Sequence, residues 1–344
     1  MGKKYQEKPL RELTFAIVGL GLIGGSYAKA LRNLKVRKIL GMDISHGIAR
    51  ACLNANMIDE VVEPDGSNLK EADVIICSVY PEAIVDFVRN NVQNFGSGML
   101  MTDATGVKGT MPLEIQGLLP ADCEFISGHP MAGRQGSGLG MSDAAIFNNS
   151  NYIIVPTDTN TPEAVRWLEE FAKALGCARS VKVSMEDHDK IIAYTSDLPH
   201  ITAVALVNSA SYNENTQYFI AGGFRDATRV ADINPDLWSD LFLSNRDNVI
   251  AEIENYQNQL ERWKKAIAEK GKSLLHKLVF FQVYAGESQL CKGVCVLHHF
   301  WLWLFVFSSI GGRLTFRRIM LIFFPLIFQE KHIFSNHLFN LLLI

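Results

Sequence analysis

The sequence predicts an α/β protein in which a doubly wound, mostly parallel sheet is followed by an all-helical domain. Short apolar runs alternate with helical patterns over the first half of the chain, and from Ser184 to about Leu278 the pattern stays helical. A chain of 344 residues has room for about two domains. We therefore expect a sheet domain over residues 1–184, a helical domain over 185–278 and an atypical apolar segment over 279–344.

Apolar runs predict the strands of the sheet at residues 15–18, 38–42, 74–78, 99–102, 124–127, 152–155 and 180–183. Residues 161–175 have apolar side chains at helical spacing and stop at Gly176, which predicts the last crossover helix. Ser184 and Asp187 form a capping box, so the helical domain is expected to begin there.

The first apolar run opens into a glycine-rich turn with the spacing Gly19-x-Gly21-x-x-Gly24. After a buried strand, the first glycine permits a tight turn, the second lets a pyrophosphate approach the backbone, and the third lets the next helix pack on the strand. That helix would begin at Leu22 and Ile23, where N–H groups and the positive end of the helix dipole favour phosphate. The pattern predicts a Rossmann-type dinucleotide-binding domain, although such turns also serve packing alone.

Asp43 ends the second predicted strand, at about the distance from the glycine turn where such domains carry an acidic residue. Its carboxylate would accept hydrogen bonds from ribose hydroxyls and repel a 2′-phosphate. We therefore expect NAD rather than NADP as the cofactor.

The composition argues against several other classes of protein. The formal net charge is −3 and the pI is near 6.3, so nothing in the charge points to nucleic acid. The first four cysteines lie in apolar contexts without metal-ligand spacing, which favours buried thiols in a reducing compartment and no metal site. Basic residues near the N-terminus have no apolar segment behind them, so we expect a cytoplasmic protein.

Residues 279–344 differ in composition from the rest of the chain. Their apolar runs, at 300–307 and 319–328, are shorter than a membrane span, so membrane attachment is not expected. Cys291, Cys295, His298 and His299 superficially suggest zinc, but they are crowded into one short stretch. We expect a dispensable segment, translated outside its original reading frame or added by fusion.

Two polar stretches follow predicted strands, at residues 102–108 and 127–133. Ligands of an open α/β sheet bind at the carboxyl ends of its strands, so both stretches are expected near the cofactor. His129 has the ordinary pKa of a general base for taking the proton of an alcohol during hydride transfer. The alternative interpretation of His129, which precedes a proline, is a turn residue without a catalytic role. The alternative for residues 102–108 is an ordinary strand-to-helix turn.

A third polar stretch, residues 222–229, carries Arg225 and Arg229 four positions apart. On a helix the two guanidinium groups would share a face, and each can bind a carboxylate with two hydrogen bonds. This pairing favours an acidic substrate. The alternative is a solvated charged face with acidic neighbours as partners.

Five blocks of the sequence resemble, in order and spacing, the prephenate dehydrogenase family, which includes arogenate-using members. They are Gly-Leu-Gly-Leu-Ile-Gly-Gly-Ser at 19–26, Asp-Ala-Thr-Gly-Val-Lys at 103–108, Gly-His-Pro-Met-Ala-Gly at 128–133, Asp-Leu-Pro-His at 197–200 and Phe-Arg-Asp-Ala-Thr-Arg at 224–229. The resemblance covers about residues 12–270. It implies NAD-dependent oxidation of prephenate in tyrosine biosynthesis, with loss of carbon dioxide as the ring becomes aromatic.

Other functions stay open at this point. Arogenate is the alternative substrate, and a dehydrogenase of another small carboxylic acid is the alternative enzyme. A binding protein that kept the fold and lost the chemistry would be expected to lack His129, Arg229 or Asp43, and all three are present.

The resemblance also implies roles for single residues. It makes His129 the catalytic histidine that accepts the proton of the ring hydroxyl, Arg229 the holder of a substrate carboxylate and Arg225 a second cationic contact. His200 would line the pocket, and Trp238 would be brought toward it by the partner subunit of a homodimer. The helical domain is therefore expected to bury an apolar face against a second copy.

Two positions depart from the family pattern. Many members have serine where this chain has Gly106, so the hydroxyl that assists His129 would come from Thr105 or be absent. Many have histidine where this chain has Asp197, whose negative charge near the pocket would favour the amino group of arogenate over a pyruvyl carboxylate. His188 also matches a family position, and we expect it to have a structural role at the start of a helix.

Overall fold

The structure is a computed structural model that describes residues 4–133 and 136–285. The strands are β1 (Thr14–Val18), β2 (Lys38–Met42), β3 (Glu60–Val61), β4 (Val74–Cys77), β5 (Leu100–Asp103), β6 (Glu124–Pro130), β7 (Asn151–Val155) and β8 (Arg179–Lys182). The helices are α1 (Lys4–Glu7), α2 (Leu22–Leu34), α3 (His46–Asn54), α4 (Pro81–Asn91), α5 (Met111–Leu118), α6 (Pro162–Ala174), α7 (Met185–Ile192), α8 (Leu198–Val207), α9 (Gly222–Thr228), α10 (Pro235–Ser244), α11 (Arg246–Ala268) and α12 (Lys272–Ala285).

The described strands form one sheet in the order β3-β2-β1-β4-β5-β6-β7-β8. Neighbours from β3 to β6 are parallel, β7 is antiparallel to β6, and β8 is parallel to β7. The chain reverses at β7, and the described residues between β6 and β7, 131–133 and 136–150, contain short 3-10 turns and no crossover α-helix. The predicted α/β class with a mostly parallel sheet is confirmed.

Both faces of the sheet are covered by apolar side chains. In β1, Phe15 and Ile17 belong to the core on one face and Ala16 and Val18 to the core on the other. A strand buried on both faces needs an unbroken apolar run rather than an alternating one. The sheet therefore lies between two helical layers, and its carboxyl-terminal edge is left for ligands.

The chain divides by internal contacts into two compact units, residues 1–257 and 258–344. The first unit contains the sheet and helices α1 to α10. The change from sheet to helices falls between β8 and α7, where Ser184 caps α7 by accepting a hydrogen bond from the Asp187 amide. The domain boundary that the sequence predicts, between residues 184 and 185, coincides with the start of α7 and lies within the unit formed by residues 1–257.

Two elements differ from the sequence expectation. The two-residue strand β3 was not predicted, because it is too short to give an apolar run. The helical pattern was expected to end near Leu278, and α12 continues to Ala285.

Cys52, Cys77, Cys123 and Cys177 are buried free thiols, as the sequence predicts. Within residues 4–133 and 136–285, no helix has the length and hydropathy needed to cross a membrane. Residues 286–344 lie outside the described part of the chain, and so do the predictions on the apolar runs and on Cys291, Cys295, His298 and His299.

Candidate active site

The turn between β1 and α2 is built around its three glycines. Gly19 has a φ of +86°, and a Cβ on it would stand 2.7 Å from the Ser78 carbonyl oxygen. A Cβ on Gly24 would stand 1.8 Å from the Gly19 carbonyl oxygen, so α2 can approach β1 only with glycine there. A Cβ on Gly21 would have nothing within 4 Å, which leaves open space beside the first turn of α2 at Leu22 and Ile23.

Asp43 is fixed beside this turn by two backbone amides. One carboxylate oxygen accepts from the Leu20 N–H at 2.8 Å and the other from the Ser45 N–H at 2.9 Å. An ionised carboxylate has about four acceptor positions, so it can also receive hydroxyl donors. The acidic side chain and the open face of Gly21 lie at neighbouring strand ends, as a dinucleotide requires.

Ser78, at the end of β4, also meets the glycine turn. Its hydroxyl oxygen is buried and has no hydrogen-bond partner among the described residues. Buried polar groups without a partner are rare, so this hydroxyl marks a place where a polar ligand would be accepted. The residues present therefore fit a dinucleotide along this edge of the sheet.

A buried ion pair lies at the ends of β5 and β6. The Lys108 Nζ is 2.7 Å from an Asp103 Oδ, and both side chains are fully buried. Lys108 also donates to the carbonyl oxygens of Gly128 at 2.8 Å and Thr105 at 3.0 Å, and Asp103 accepts from the Ser127 hydroxyl at 2.7 Å. Burial alone would raise the pKa of Asp103, but the Lys108 cation and the hydrogen bonds outweigh it and hold that pKa below its ordinary value.

The Thr105 hydroxyl points into this ion pair. It makes a short hydrogen bond to Asp103 and lies 3.1 Å from the Val107 carbonyl oxygen. The hydroxyl was expected to assist His129, and the structure gives it these other partners. The adjacent position, Gly106, has room for a side chain, because a Cβ there would meet only Leu241, at 3.7 Å.

His129, near the end of β6, has another histidine as its partner. Its Nδ1 is 3.0 Å from the Nε2 of His188, and the Nδ1 of His188 is 2.7 Å from an Asp189 carboxylate oxygen. Burial, together with the nearby Lys108 cation and His188, holds the pKa of His129 well below its ordinary value. His129 is therefore neutral at physiological pH and able to accept a proton.

His188 is the residue whose position the sequence reasoning missed. It was expected to have only a structural role at the start of a helix, because it lies in the first turn of α7. The structure docks that turn on the end of β6, where His188 contacts His129. The one signal in the sequence was that His188 matches a position of the family pattern.

His200 and Trp238 contact each other in the helical region. Their ring centroids are 3.8 Å apart, and the His200 Nδ1 is 2.8 Å from the Ser196 carbonyl oxygen. The sequence predicted that Trp238 comes toward the pocket from a partner subunit. In the single chain the Trp238 ring packs against His200, and the Phe242 ring centroid lies 5.4 Å from that of Trp238. The part played by a partner subunit stays a prediction.

Arg225 lies within α9, and Arg229 is the residue directly after that helix. The helical backbone gives the four-residue spacing a common face, as the sequence predicts. Both residues are exposed, and α9 packs against α8, which carries His200. The arginines and His200 therefore lie on adjacent helices.

Asp197 is buried, with 1% of its surface exposed, and accepts a hydrogen bond from the Asn245 amide at 3.1 Å. Burial raises the pKa of Asp197 to about 6. The expectation of an available negative charge that reads the amino group of arogenate does not fit this position, because the carboxyl is covered by protein.

Models of two domains from one family match the chain. The nucleotide-binding domain of prephenate dehydrogenase matches residues 27–182, and its dimerization domain matches residues 184–280. Prephenate dehydrogenase of Bacillus subtilis (strain 168) is 33% identical over 255 residues, which cover 72% of this chain and 68% of that protein.

Solved structures of similar proteins have the same fold. Prephenate dehydrogenase from A. aeolicus, in complex with hydroxyphenyl propionate and NAD+, has a TM-score of 0.73 and 28% identity, covering 80% of this chain and 98% of that one. Synechocystis arogenate dehydrogenase has a TM-score of 0.68 and 26% identity, covering 78% of this chain and 96% of that one.

The glycine turn gives a matched pair of substitutions. Gly24→Ala should lower the free energy of unfolding by more than about 2 kcal/mol, because its Cβ would overlap the Gly19 carbonyl oxygen. Gly21→Ala should change it by less than about 1 kcal/mol and instead weaken NAD binding, because its Cβ would fill the open space at the turn. Denaturant unfolding and NAD titration measure the two effects. A Gly21→Ala protein that binds NAD as tightly as the parent would contradict this assignment.

The raised pKa of Asp197 predicts a pH-dependent gain in stability from Asp197→Asn. The folded state holds the proton up to about pH 6, whereas the unfolded chain releases it near 3.8, so the destabilisation grows as the pH rises from about 3.8 to about 6 and is complete above that. The variant's free energy of unfolding should exceed that of the parent by roughly 2 to 3 kcal/mol at pH 8 and by less than about 1 kcal/mol at pH 4. Denaturant unfolding at both pH values tests this, with Asp240→Asn, exposed on α10, as the control. An equal gain at both pH values would rule out the proposed cause.

Proposed function

Because the chain belongs to the prephenate dehydrogenase family, we propose that it catalyses the NAD-dependent oxidative decarboxylation of prephenate to 4-hydroxyphenylpyruvate. The observation that carries this proposal is His129, a neutral histidine at the carboxyl-terminal edge of the sheet whose Nδ1 is engaged by His188. A biosynthetic role of this kind, in the making of tyrosine, favours the cytoplasm.

The cofactor would lie along the edge formed by the ends of β2, β1, β4, β5 and β6. Asp43 would hold the adenosine ribose, and the first turn of α2, at Leu22 and Ile23, would hold the pyrophosphate over the open face of Gly21. His129 is further along the same edge, because β6 follows β4 and β5 in the sheet. When NAD is bound there, it supplies the acceptor for a hydride.

His129 would act as the general base. Its Nε2 takes the proton of the ring hydroxyl as the hydride leaves the same carbon, and the carboxylate on the quaternary carbon departs as carbon dioxide. The electron pair of the broken carbon–carbon bond completes the aromatic ring, and the ring oxygen, left as a phenolate, takes the proton back from His129. The Lys108 cation supports this role because it disfavours the protonated form of His129 before substrate arrives.

Four further residues are proposed to bind substrate. Arg229 and Arg225 supply guanidinium groups suited to two carboxylates, as prephenate has. His200 and Trp238, whose rings pack against each other, would line the pocket. The burial of Asp197 removes the reason the sequence gave for preferring arogenate, so prephenate is the first candidate and arogenate the alternative.

We also propose that the enzyme is a homodimer. The family model that matches residues 184–280 is a dimerization domain. Large apolar side chains of this region are exposed in the single chain, among them Tyr194, Tyr218, Phe219 and Leu243. A second copy of the chain would cover such a surface.

The direct test is an assay of NADH and NADPH formation by the full chain, with prephenate or arogenate as substrate. Prephenate with NAD should give the highest kcat/KM, and NAD should exceed NADP by at least about tenfold, because Asp43 repels the 2′-phosphate. Asp43→Ser should narrow that ratio. Faster turnover of arogenate would select the alternative substrate, and no turnover of either would refute the proposed reaction.

His129→Asn tests the proposed base. The variant keeps a polar side chain of similar size but cannot take a proton, so kcat should fall by roughly a hundredfold or more. The dissociation constant for NAD should change much less, since the glycine turn and Asp43 are intact. A kcat within about twofold of the parent would remove His129 from the mechanism.

A further inference from the structure

The hydrogen-bonded series His129–His188–Asp189 ends on a carboxylate, and both oxygens of that carboxylate act as acceptors. One oxygen of Asp189 accepts from His188 at 2.7 Å and from the Lys108 amide at 2.9 Å, and the other accepts from the Gly109 amide at 2.7 Å. Backbone N–H groups can only donate, so both oxygens must act as acceptors. Burial would raise the pKa of Asp189, but the bonds from His188 and the two amides hold it below its ordinary value.

This arrangement decides where the protons of both imidazoles lie. The Nδ1 of His188 must carry a hydrogen, because it faces an ionised carboxylate. An imidazole whose single hydrogen is on Nδ1 has a lone pair on Nε2, and the Nδ1 of His129, 3.0 Å away, is placed to donate to that lone pair. The remaining ring nitrogen of His129, Nε2, is thereby left unprotonated.

We propose that His188 and Asp189 are positioning residues for His129, which together hold it in the tautomer with a hydrogen on Nδ1 and a free lone pair on Nε2. This inference rests on the proposed function, in which Nε2 is the atom that takes the substrate proton. When that proton arrives, a bond forms between Nε2 and hydrogen as the oxygen–hydrogen bond breaks. The Nδ1 hydrogen of His129 stays in place and its bond to His188 strengthens, so no proton needs to reach Asp189.

Thr105 and Gly106, the two positions expected to supply a hydroxyl to His129, do not orient its ring. The hydroxyl of Thr105 is hydrogen-bonded to Asp103, and Gly106 has no side chain. His188 is 2% exposed and Asp189 is 6% exposed, so water has little access to the relay. The orientation of the His129 ring therefore depends on its hydrogen bond with His188, which lies on α7.

A purely structural role is the competing explanation, because Asp189 also holds the loop at Lys108 and Gly109. The first readout is therefore independent of activity. In the full chain labelled with ¹³C-histidine, the Cδ2 chemical shift of each ring reports its tautomer, and His129→Asn and His188→Gln assign two of the nine histidine signals. His129 in the unliganded protein should carry its hydrogen on Nδ1. Finding it on Nε2 would overturn the proposal without any variant being needed.

Asp189→Asn is the variant that disturbs the tautomer. The amide turns an N–H toward at least one of the three donors and leaves His188 at best a neutral, weaker acceptor, so the hold on its Nδ1 hydrogen weakens and the His129 signal should shift toward the other tautomer. His200, whose Nδ1 faces the Ser196 carbonyl oxygen, is an internal control that should not change. Glu186→Gln, on the exposed side of α7 and paired only with Lys190 among the ion pairs of the described residues, is the matched carboxylate control.

The kinetic readouts separate positioning from structure. Asp189→Asn should lower kcat at least about tenfold with little change in the KM for prephenate. Its kcat/KM profile should have an acid limb at lower pH, because the lost negative charge no longer stabilises the His129 imidazolium. His188→Gln, which retains an acceptor oxygen for His129, should keep more activity than His188→Leu.

The outcomes distinguish this inference from the proposed function. If His129→Asn leaves kcat unchanged, the proposed base is wrong, whereas the tautomer measurement still tests the relay. If His129→Asn is inactive but Asp189→Asn and His188→Leu keep the parent tautomer and pH profile, His188 and Asp189 are structural and this inference is overturned.

Discussion

The buried ion pair of Asp103 and Lys108 is the interaction on which the arrangement of the site depends. Both side chains are fully buried, and removing two charges from water costs several kcal/mol per ion. The cost is offset because Lys108 donates to Asp103 and to the carbonyl oxygens of Thr105 and Gly128, while Asp103 accepts from Ser127 and Thr105. Loss of either partner would leave an unpaired charge and cost about 3 to 5 kcal/mol. The pair therefore joins the ends of β5 and β6 at Ser127 and Gly128, the residues directly before His129.

The loop after β5, which carries Lys108 and Gly109, also connects the sheet to the helices that follow β8. The amides of Lys108 and Gly109 donate to Asp189 on α7, and the Asn245 side chain donates to the backbone carbonyl oxygen of Asp189. Asn245 also reaches Asp197, so a short series of buried polar contacts runs from β5 through α7 to the end of α10. Buried networks of this kind hold a unique geometry only when their members are satisfied. The site is thus built from two parts of the chain that are distant in sequence.

Electrostatics gives the members of this network different protonation states. Asp103 and Asp189 are kept ionised by donors, whereas burial, opposed by one amide donor and assisted by the nearby Asp189, raises the pKa of Asp197 to about 6. His129 is kept neutral by burial and by Lys108. Three buried carboxyl groups therefore behave differently because their hydrogen-bond partners differ, and the lowered pKa of His129 follows first from burial and then from the nearby Lys108 cation.

The sequence by itself determined the elements whose causes are local. The run 38–42 coincides with β2, Ser184 caps α7, and the glycine spacing gives the turn between β1 and α2, because each depends on residues within a few positions of one another. It also identified His129 as a candidate base from its position after a strand. Only the tertiary structure decided its partner, because His188 is 59 residues away and reaches His129 through the docking of α7 on the sheet edge. Burial of Asp197 and the turning of the Thr105 hydroxyl toward Asp103 were equally beyond the sequence, since each depends on which distant groups the fold brings within hydrogen-bond distance.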